Sequence, residues 1–363
     1  LLRLLKILPT FRTRHGDRSD IRSNLAIYER AARILKDGGT LVIFPEATHQ
    51  RGHFMNTFKK GFCRIAFSAE EIHNFSLGLK VLPLNIHYSN YFNFQSDLMV
   101  TVGEPFTFEE LFDLYKEHPN DAYLALNDKA RARVKALTPD IDIPEYYNEI
   151  EALTHIMSEP LLRHKKLKVN YLPNQKDAAM TIIARLKQYR EEQEPAFNNL
   201  MEETREYVSL LTKRGLHHWV INKKLSTFRL IGRILLMILS LPIFFFGYIN
   251  NFIPTFITQR ITSKVKDPMF HSSVQYSLGS IAIFPLYYIL LLTVVWLISK
   301  HFWIAIAYVF LSAITAFFVH YYKIALRKFY TVFHAMRLRQ TADYRTLCSL
   351  NKIITGTMEG LLF

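Results

Sequence analysis

Two apolar runs near the C-terminus, residues 281–298 (IAIFPLYYILLLTVVWLI) and 302–319 (FWIAIAYVFLSAITAFFV), contain no charged side chain and are separated only by Ser299, Lys300 and His301. Each is close to the ~20 residues a helix needs to cross the hydrocarbon core of a bilayer. A three-residue link makes them a tight helical hairpin. The competing reading, a helical core buried inside a soluble protein, has to bury two such adjacent runs on all sides and fits poorly. A third stretch, 230–249, is interrupted by Arg233 near its start and Pro242 near its middle, with Gly247 and Pro254 following, and reads as re-entrant or interfacial. Lys213, Arg214, Lys223, Lys224 and Arg229 precede the region and Lys323, Arg327 and Lys328 follow it. The positive-inside rule then puts both flanks in the cytoplasm and asks for an even number of crossings, met by two spans and one re-entrant segment.

The charge supports a lipid setting. A formal net charge of +14 in a 363-residue chain that is half hydrophobic suits an anionic partner: nucleic acid, an acidic membrane surface, or a phosphate- and CoA-bearing substrate. Nucleic acid is disfavoured, because most basic residues flank apolar runs and do not form an aromatic-interleaved patch. Cys63 and Cys348 are too few for a disulfide framework or a thiolate metal site, so a reducing, cytoplasm-facing side is expected. His53, His217 and His218 lack partners at ligand spacing, and no metal is expected. The sequence opens Leu1-Leu2-Arg3-Leu4-Leu5 with neither Met nor a signal-peptide pattern, which reads as a chain whose natural start lies upstream.

The N-terminal third has a different rhythm. Short apolar or β-branched runs at 7–12, 40–44, 79–88 and 97–102 predict strands. Between the first three lie helical patterns: Asn24 to about Lys36, capped by Ser23 or Asn24 and ended by Gly38-Gly39, and Thr57 to about Glu70. This β-α-β-α-β order predicts an α/β sheet. From Phe106 to about Ser226 mixed-charge helical segments follow, such as Ala179, Ile182, Ile183, Leu186 and Tyr189 behind Pro173-Asn174.

Chemistry concentrates in Phe44-Pro45-Glu46-Ala47-Thr48-His49-Gln50-Arg51-Gly52, placed between the strand at 40–44 and the second helix. At the C-terminal edge of such a strand, loops diverge and helix N-termini offer donors to anions. Glu46 beside Thr48, His49 and Arg51 has the groups to orient a polyol and its phosphate. Gly61, inside the helical pattern, costs about 1 kcal/mol there and suggests close approach of backbone or ligand. Taken singly, Glu46 is an ordinary solvated turn residue, and Arg12 and Arg14 are surface charges beside a strand.

As an ordered set these segments resemble the phospholipid/glycerol acyltransferase family, which includes lysophosphatidate and glycerol-3-phosphate acyltransferases. Phe44-Pro45-Glu46-Ala47-Thr48 is similar to its F-P-E-G-T block, and Leu8-Pro9-Thr10-Phe11-Arg12-Thr13-Arg14-His15-Gly16 to its arginine motif. Phe58 to Ala66 resembles the helix after the block, and Val81-Leu82-Pro83-Leu84 its last strand. Ala47 stands where the family usually has Gly, and His49 where it usually has Arg, which leaves Arg12 or Arg51 able to supply the phosphate contact, as a planar guanidinium can. The resemblance implies Arg12, Arg14, Glu46, Thr48, Arg51 and Gly61 as the substrate-binding set. It also implies a general base in an H-x-x-x-x-D motif upstream of the arginine motif. His15 and Asp20 have that spacing, but they overlap the arginine motif and precede Glu46 by only one helix and one strand, so the base itself is expected before residue 1.

The resulting expectation is a partial α/β acyltransferase core over 1–106, a helical extension over 107–226, a membrane region over 227–325 holding the hairpin 281–319, and a basic C-terminal tail over 326–363. The implied activity is acyl transfer from acyl-CoA or acyl-ACP, without a cofactor, to 1-acylglycerol 3-phosphate. Glycerol 3-phosphate or dihydroxyacetone phosphate remains open as acceptor. A non-catalytic lipid-binding protein of the same fold is the alternative from another class. The expected location is the membrane, with the catalytic segment facing the cytoplasm and no nucleic-acid partner.

Overall fold

A computed structural model describes residues 18–46, 52–90, 96–221 and 227–363. They divide into two compact units, the described residues up to 87 with 98–144 and those of 88–97 with 145–363.

In the first unit, helix α1 (Arg18–Lys36) begins six residues before the expected Asn24, because no Gly or Pro lies between Arg18 and Lys36 to stop it. Its end is as expected. Gly38 takes the left-handed conformation (φ +77°), its N–H bonds the Leu35 carbonyl, and the Gly39 N–H bonds the Ile34 carbonyl, a paired closure of the last turn. A side chain on Gly39 would collide with Ile34 at 2.6 Å.

The predicted strand at 40–44 is not one. Among the described residues nothing pairs with it, and Val42 and Phe44 are 73 % and 72 % exposed. Without a neighbouring ladder an extended segment stays irregular. The run at 7–12 lies outside the described residues. What the sheet contains is β1 (Leu84–Tyr88) and β2 (Leu98–Val102). The bridge Val81–Phe106 and the Gly103 N–H to the Pro83 carbonyl make the pair antiparallel. The expected α/β sheet is therefore reduced, in the described residues, to one hairpin in a mostly helical structure. Pro83, lacking an N–H, shortens the 79–88 run to its second half.

Helix α2 (Gly61–Ile72) starts four residues later than predicted. The Phe58 carbonyl accepts from Asn127 Nδ2 and the Lys59 N–H donates to the Pro45 carbonyl, so residues 57–60 are held as a loop. Beyond β2 come α3 (Phe112–Glu117) and α4 (Pro119–Lys135). Phe67 of α2 stacks on Tyr115 at 4.5 Å and meets Phe108 edge-on at 5.0 Å, while Ala122, Leu126 and Ala130 of α4 join the same core. Composition changes at 106, but the core does not: the compact unit runs to Pro144. Burial pushes the Cys63 thiol up to about 12. Glu70, 1 % exposed, accepts from the Leu77 and Leu79 N–H groups at 3.1 and 2.7 Å and so ties the turn after α2.

The second unit opens with α5 (Tyr147–His164), α6 (Leu172–Glu192), α7 (Glu194–Lys213) and the short α8 (His218–Ile221). Ile182, Ile183, Leu186 and Tyr189 of α6 are buried as their spacing predicts, with Pro173 in the first turn where its missing N–H costs nothing. Next come α9 (Thr227–Leu239), α10 (Leu241–Thr262) and α11 (His271–Val274). A π-helical segment, Gln275–Ile283, leads into α12 (Phe284–Ser299), and Lys300 in left-handed conformation turns the chain into α13 (Phe302–Leu338). Leu241–Thr262, His271–Ser299 and Phe302–Leu338 are long and apolar enough to cross a membrane.

The stretch expected at 230–249 is thus two helices. Pro242 falls in the first turn of α10, where it is tolerated, and Pro254 lies inside the helix, not past its end. α10 packs closely on α13: a Cβ on Gly247 would come within 2.7 Å of the Thr315 carbonyl. Asn251 Nδ2 donates to the Gly247 and Ser312 carbonyls, and Asn251 Oδ1 accepts from the Tyr288 hydroxyl.

Residues 326–363 are not a tail. Thr341 caps α14 (Ala342–Leu362), which buries Tyr344, Leu347, Leu350, Ile354 and Met358 at helical spacing and packs against α7, α5 and α6. Arg214 pairs with Asp343, His334 Nε2 donates to the Arg214 carbonyl at 2.9 Å, and the Tyr344 hydroxyl donates to the Ile221 carbonyl at 3.3 Å.

Two outcomes follow. Glu70→Ala leaves two backbone donors without their acceptor and should lower unfolding free energy by about 1–3 kcal/mol in denaturant titrations. Burial holds the His218 imidazole below its ordinary value, with Nδ1 2.8 Å from the Tyr207 hydroxyl. The folded form then binds fewer protons than the unfolded one, so this contribution is complete above about pH 6.5 and is lost as pH falls below it. His218→Gln should reduce the drop in Tm between pH 7.5 and pH 5.

Candidate functional site

Glu46 sits at the end of the irregular segment that follows α1, and two hydrogen bonds tie residues 45 and 46 to residues 56–59. The Asn56 N–H donates to Glu46 Oε2 at 3.2 Å, and the Lys59 N–H donates to the Pro45 carbonyl at 2.8 Å. Met55 and Phe58 bury their side chains in the core beside Phe106 and Leu126, anchoring the far arm of the loop. A second strut comes from residues 138–143. Asp140, itself paired with Lys135 at 3.2 Å, accepts from the Met55 N–H at 2.8 Å, and the Ile141 N–H bonds the His53 carbonyl at 2.6 Å. Lys135 also pairs with Asp142 at 2.8 Å, and these contacts raise its pKa above the ordinary lysine value.

Strand β1 contributes in an unexpected sense. Its buried residues are Asn85 and His87, while Leu84, Ile86 and Tyr88 face outward, as do Leu98, Val100 and Val102 of β2, apart from partly covered neighbours. An interior that takes the polar half of an alternating strand is built for hydrogen bonding, not for packing. His87 stacks on His53 with ring centroids 5.5 Å apart. Asn85 Nδ2 donates to Thr138 Oγ1, and its Oδ1 is buried without a hydrogen-bond partner among the described residues. Glu46, the His53–His87 pair and Asn85 each carry an acceptor or donor suited to a hydroxyl group. Among the described residues, no group of three or more His, Cys, Asp or Glu could hold a metal ion.

Of the residues singled out by sequence, Glu46 and Gly61 are described. Gly61 is the first residue of α2, not an interior one, so the helix penalty does not apply; a Cβ there would meet only the Tyr28 hydroxyl at 3.5 Å, an ordinary contact. Among the described residues no protein atom comes close enough to require glycine at this position. Arg12, Arg14, His15, Thr48 and Arg51, with Ala47 and His49, lie outside the described residues. Asp20 falls in the first turn of α1, but its side chain is likewise outside the description. His87, Asn85 and Asp140 were missed by spacing arguments. The alternation Leu84-Asn85-Ile86-His87-Tyr88 carried the signal for the first two.

The Acyltransferase family model matches residues 3–87. Over 76 residues the chain is 32 % identical to the 1-acyl-sn-glycerol-3-phosphate acyltransferase of Borreliella burgdorferi, an alignment covering 21 % of this chain and 27 % of that protein. The chain thus spans about a quarter of the length of this relative. No solved structure matches it.

The strut from Asp140 can be tested directly. Asp140→Ala removes the acceptor of the Met55 amide, and exchange of peptides covering 53–60 should accelerate roughly tenfold in hydrogen–deuterium measurements. Unchanged exchange there would mean that the loop is held without Asp140.

Proposed function

We propose that the intact protein is a membrane-bound glycerolipid acyltransferase that esterifies 1-acylglycerol 3-phosphate, a reading supported by the match of residues 3–87 to the Acyltransferase family model. The observation that carries this reading is Glu46, in the block resembling F-P-E-G-T, with its carboxylate oriented by the Asn56 N–H. In the proposed reaction the acceptor hydroxyl attacks the thioester carbonyl of acyl-CoA or acyl-ACP. An ester bond forms as the tetrahedral oxyanion collapses and the C–S bond breaks, and the acceptor's proton leaves through a histidine base to the departing thiolate. By resemblance, that base belongs to the upstream motif. Glu46 and Thr48 would orient the glycerol hydroxyls, and Arg12, Arg14 and Arg51 the phosphate. The apolar helices would hold this chemistry at the bilayer, where the acyl chains of donor and product reside, with the catalytic segment on the cytoplasmic side.

Labelled acyl-CoA supplied to the full-length protein with lysophosphatidate or glycerol 3-phosphate, in parallel, should acylate lysophosphatidate in preference. Preference for glycerol 3-phosphate would reassign the acceptor, and transfer to neither would favour a lipid-binding protein without catalysis. Glu46→Gln should cut turnover by roughly 100-fold or more while leaving the membrane-bound fraction unchanged.

A further inference from the structure

The positive charge of this chain is not spread along it. Residues 207–342 contain fifteen Lys and Arg against a single acidic residue, Asp267, which accounts for the whole +14 excess; the remainder is balanced. Most of these cations flank the apolar helices. α13 shows where they meet the lipid. From Phe302 to Tyr322 it has no Lys, Arg, Asp or Glu, a length of about 31 Å that matches a hydrocarbon core of about 30 Å. The helix then continues without a break to Leu338. Lys323 is the first charge, and Arg327 lies about 7 Å beyond Tyr322, at the depth of lipid phosphates.

At that level the surface is hollow. A cavity of 680 Å³ is lined by His217, Leu326, Arg327, Phe329, Tyr330 and Phe333, among others. Leu326, Tyr330 and Phe333 are 47 %, 68 % and 51 % exposed on one face of α13. Neither Arg327 nor Lys328 has an acidic side chain within ion-pair distance among the described residues, whereas Arg214 is neutralised by Asp343 and Arg205 by Glu149.

We propose that this cavity binds the head group of an anionic phospholipid from the surrounding bilayer. Leu326 continues the apolar surface of the span for the acyl chains. The Arg327 guanidinium takes the phosphate through two parallel N–H bonds. His217, Tyr330 and Phe333 close over the glycerol and head group, a mixture of aromatic faces and polar tips suited to the interface. An acidic peptide would satisfy the cation but not an aromatic stripe continuous with a membrane helix. The proposal rests on the bilayer reading of α13 and is independent of acyl transfer.

Native mass spectrometry of the delipidated full chain, offered equal amounts of phosphatidylglycerol and phosphatidylcholine with matched acyl chains, tests it. Phosphatidylglycerol should be retained about fivefold over phosphatidylcholine, the preference one well-placed cation gives at a membrane surface. Arg327→Gln should bring the two lipids to near parity, with the same membrane-bound fraction as the native chain. Lys300→Gln, in the turn of the α12–α13 hairpin, should keep the preference. Equal retention by the native chain, or an undiminished preference in Arg327→Gln, overturns the proposal. So does displacement of the lipid by millimolar inorganic phosphate, which would mark a site for free anions. Acyl transfer is not read in this experiment, so its failure leaves the enzymatic reading untouched.

Discussion

Apolar surface that the protein cannot bury in itself governs the second unit. α12 buries none of its side chains, and α10 and α13 bury few. Helices of this kind are stable only in a solvent that does not penalise them, and inside such a solvent polar groups become the adhesive. Asn251 shows this: it reaches carbonyls on its own helix and on α13 and receives the Tyr288 hydroxyl, while Gly247 lets the two helices approach. The same pressure explains why the cations cluster where the helices end.

The first unit answers a different demand. The described residues on either side of Glu46's block, 40–46 and 52–60, contain no helix or strand, so their backbone groups need individual partners. Pro45, Asn56, Met55 and Phe58 find theirs in Lys59, Glu46, Asp140 and Asn127. Placement of the Glu46 carboxylate thus depends on residues as far away in sequence as Asp140, beyond the segment that matches the family model.

Much of this was legible in advance and some was not, for identifiable reasons. The helix stop at Gly38-Gly39 and the buried face of α6 follow from local rules, and both are as the sequence implies. The apolar hairpin was equally plain, since length and lack of charge leave few alternatives. The strand at 40–44 failed because strand formation depends on a partner that local sequence does not contain. Helix α2 started late because Asn127, far along the chain, captures the Phe58 carbonyl. The helical ending at Ala342–Leu362 was hidden by its basic neighbours, although Tyr344, Leu347, Ile354 and Met358 spell out a buried stripe. In the candidate site, Glu46 was evident from its block, while the His53–His87 stack joins residues that only the fold brings together.

α13 is a single rod of 37 residues. Its first part matches a hydrocarbon core in length and its last sixteen residues, about 24 Å, continue beyond that length, packing beside α8 and bonding the Arg214 carbonyl through His334. Such a rod is a lever. When a bilayer thickens or thins, a spanning helix adjusts its tilt, and a change of about 10° would carry the far end of α13 roughly 4 Å sideways. In a bilayer, a change of thickness would thereby become a displacement at the end where α13 packs beside α8.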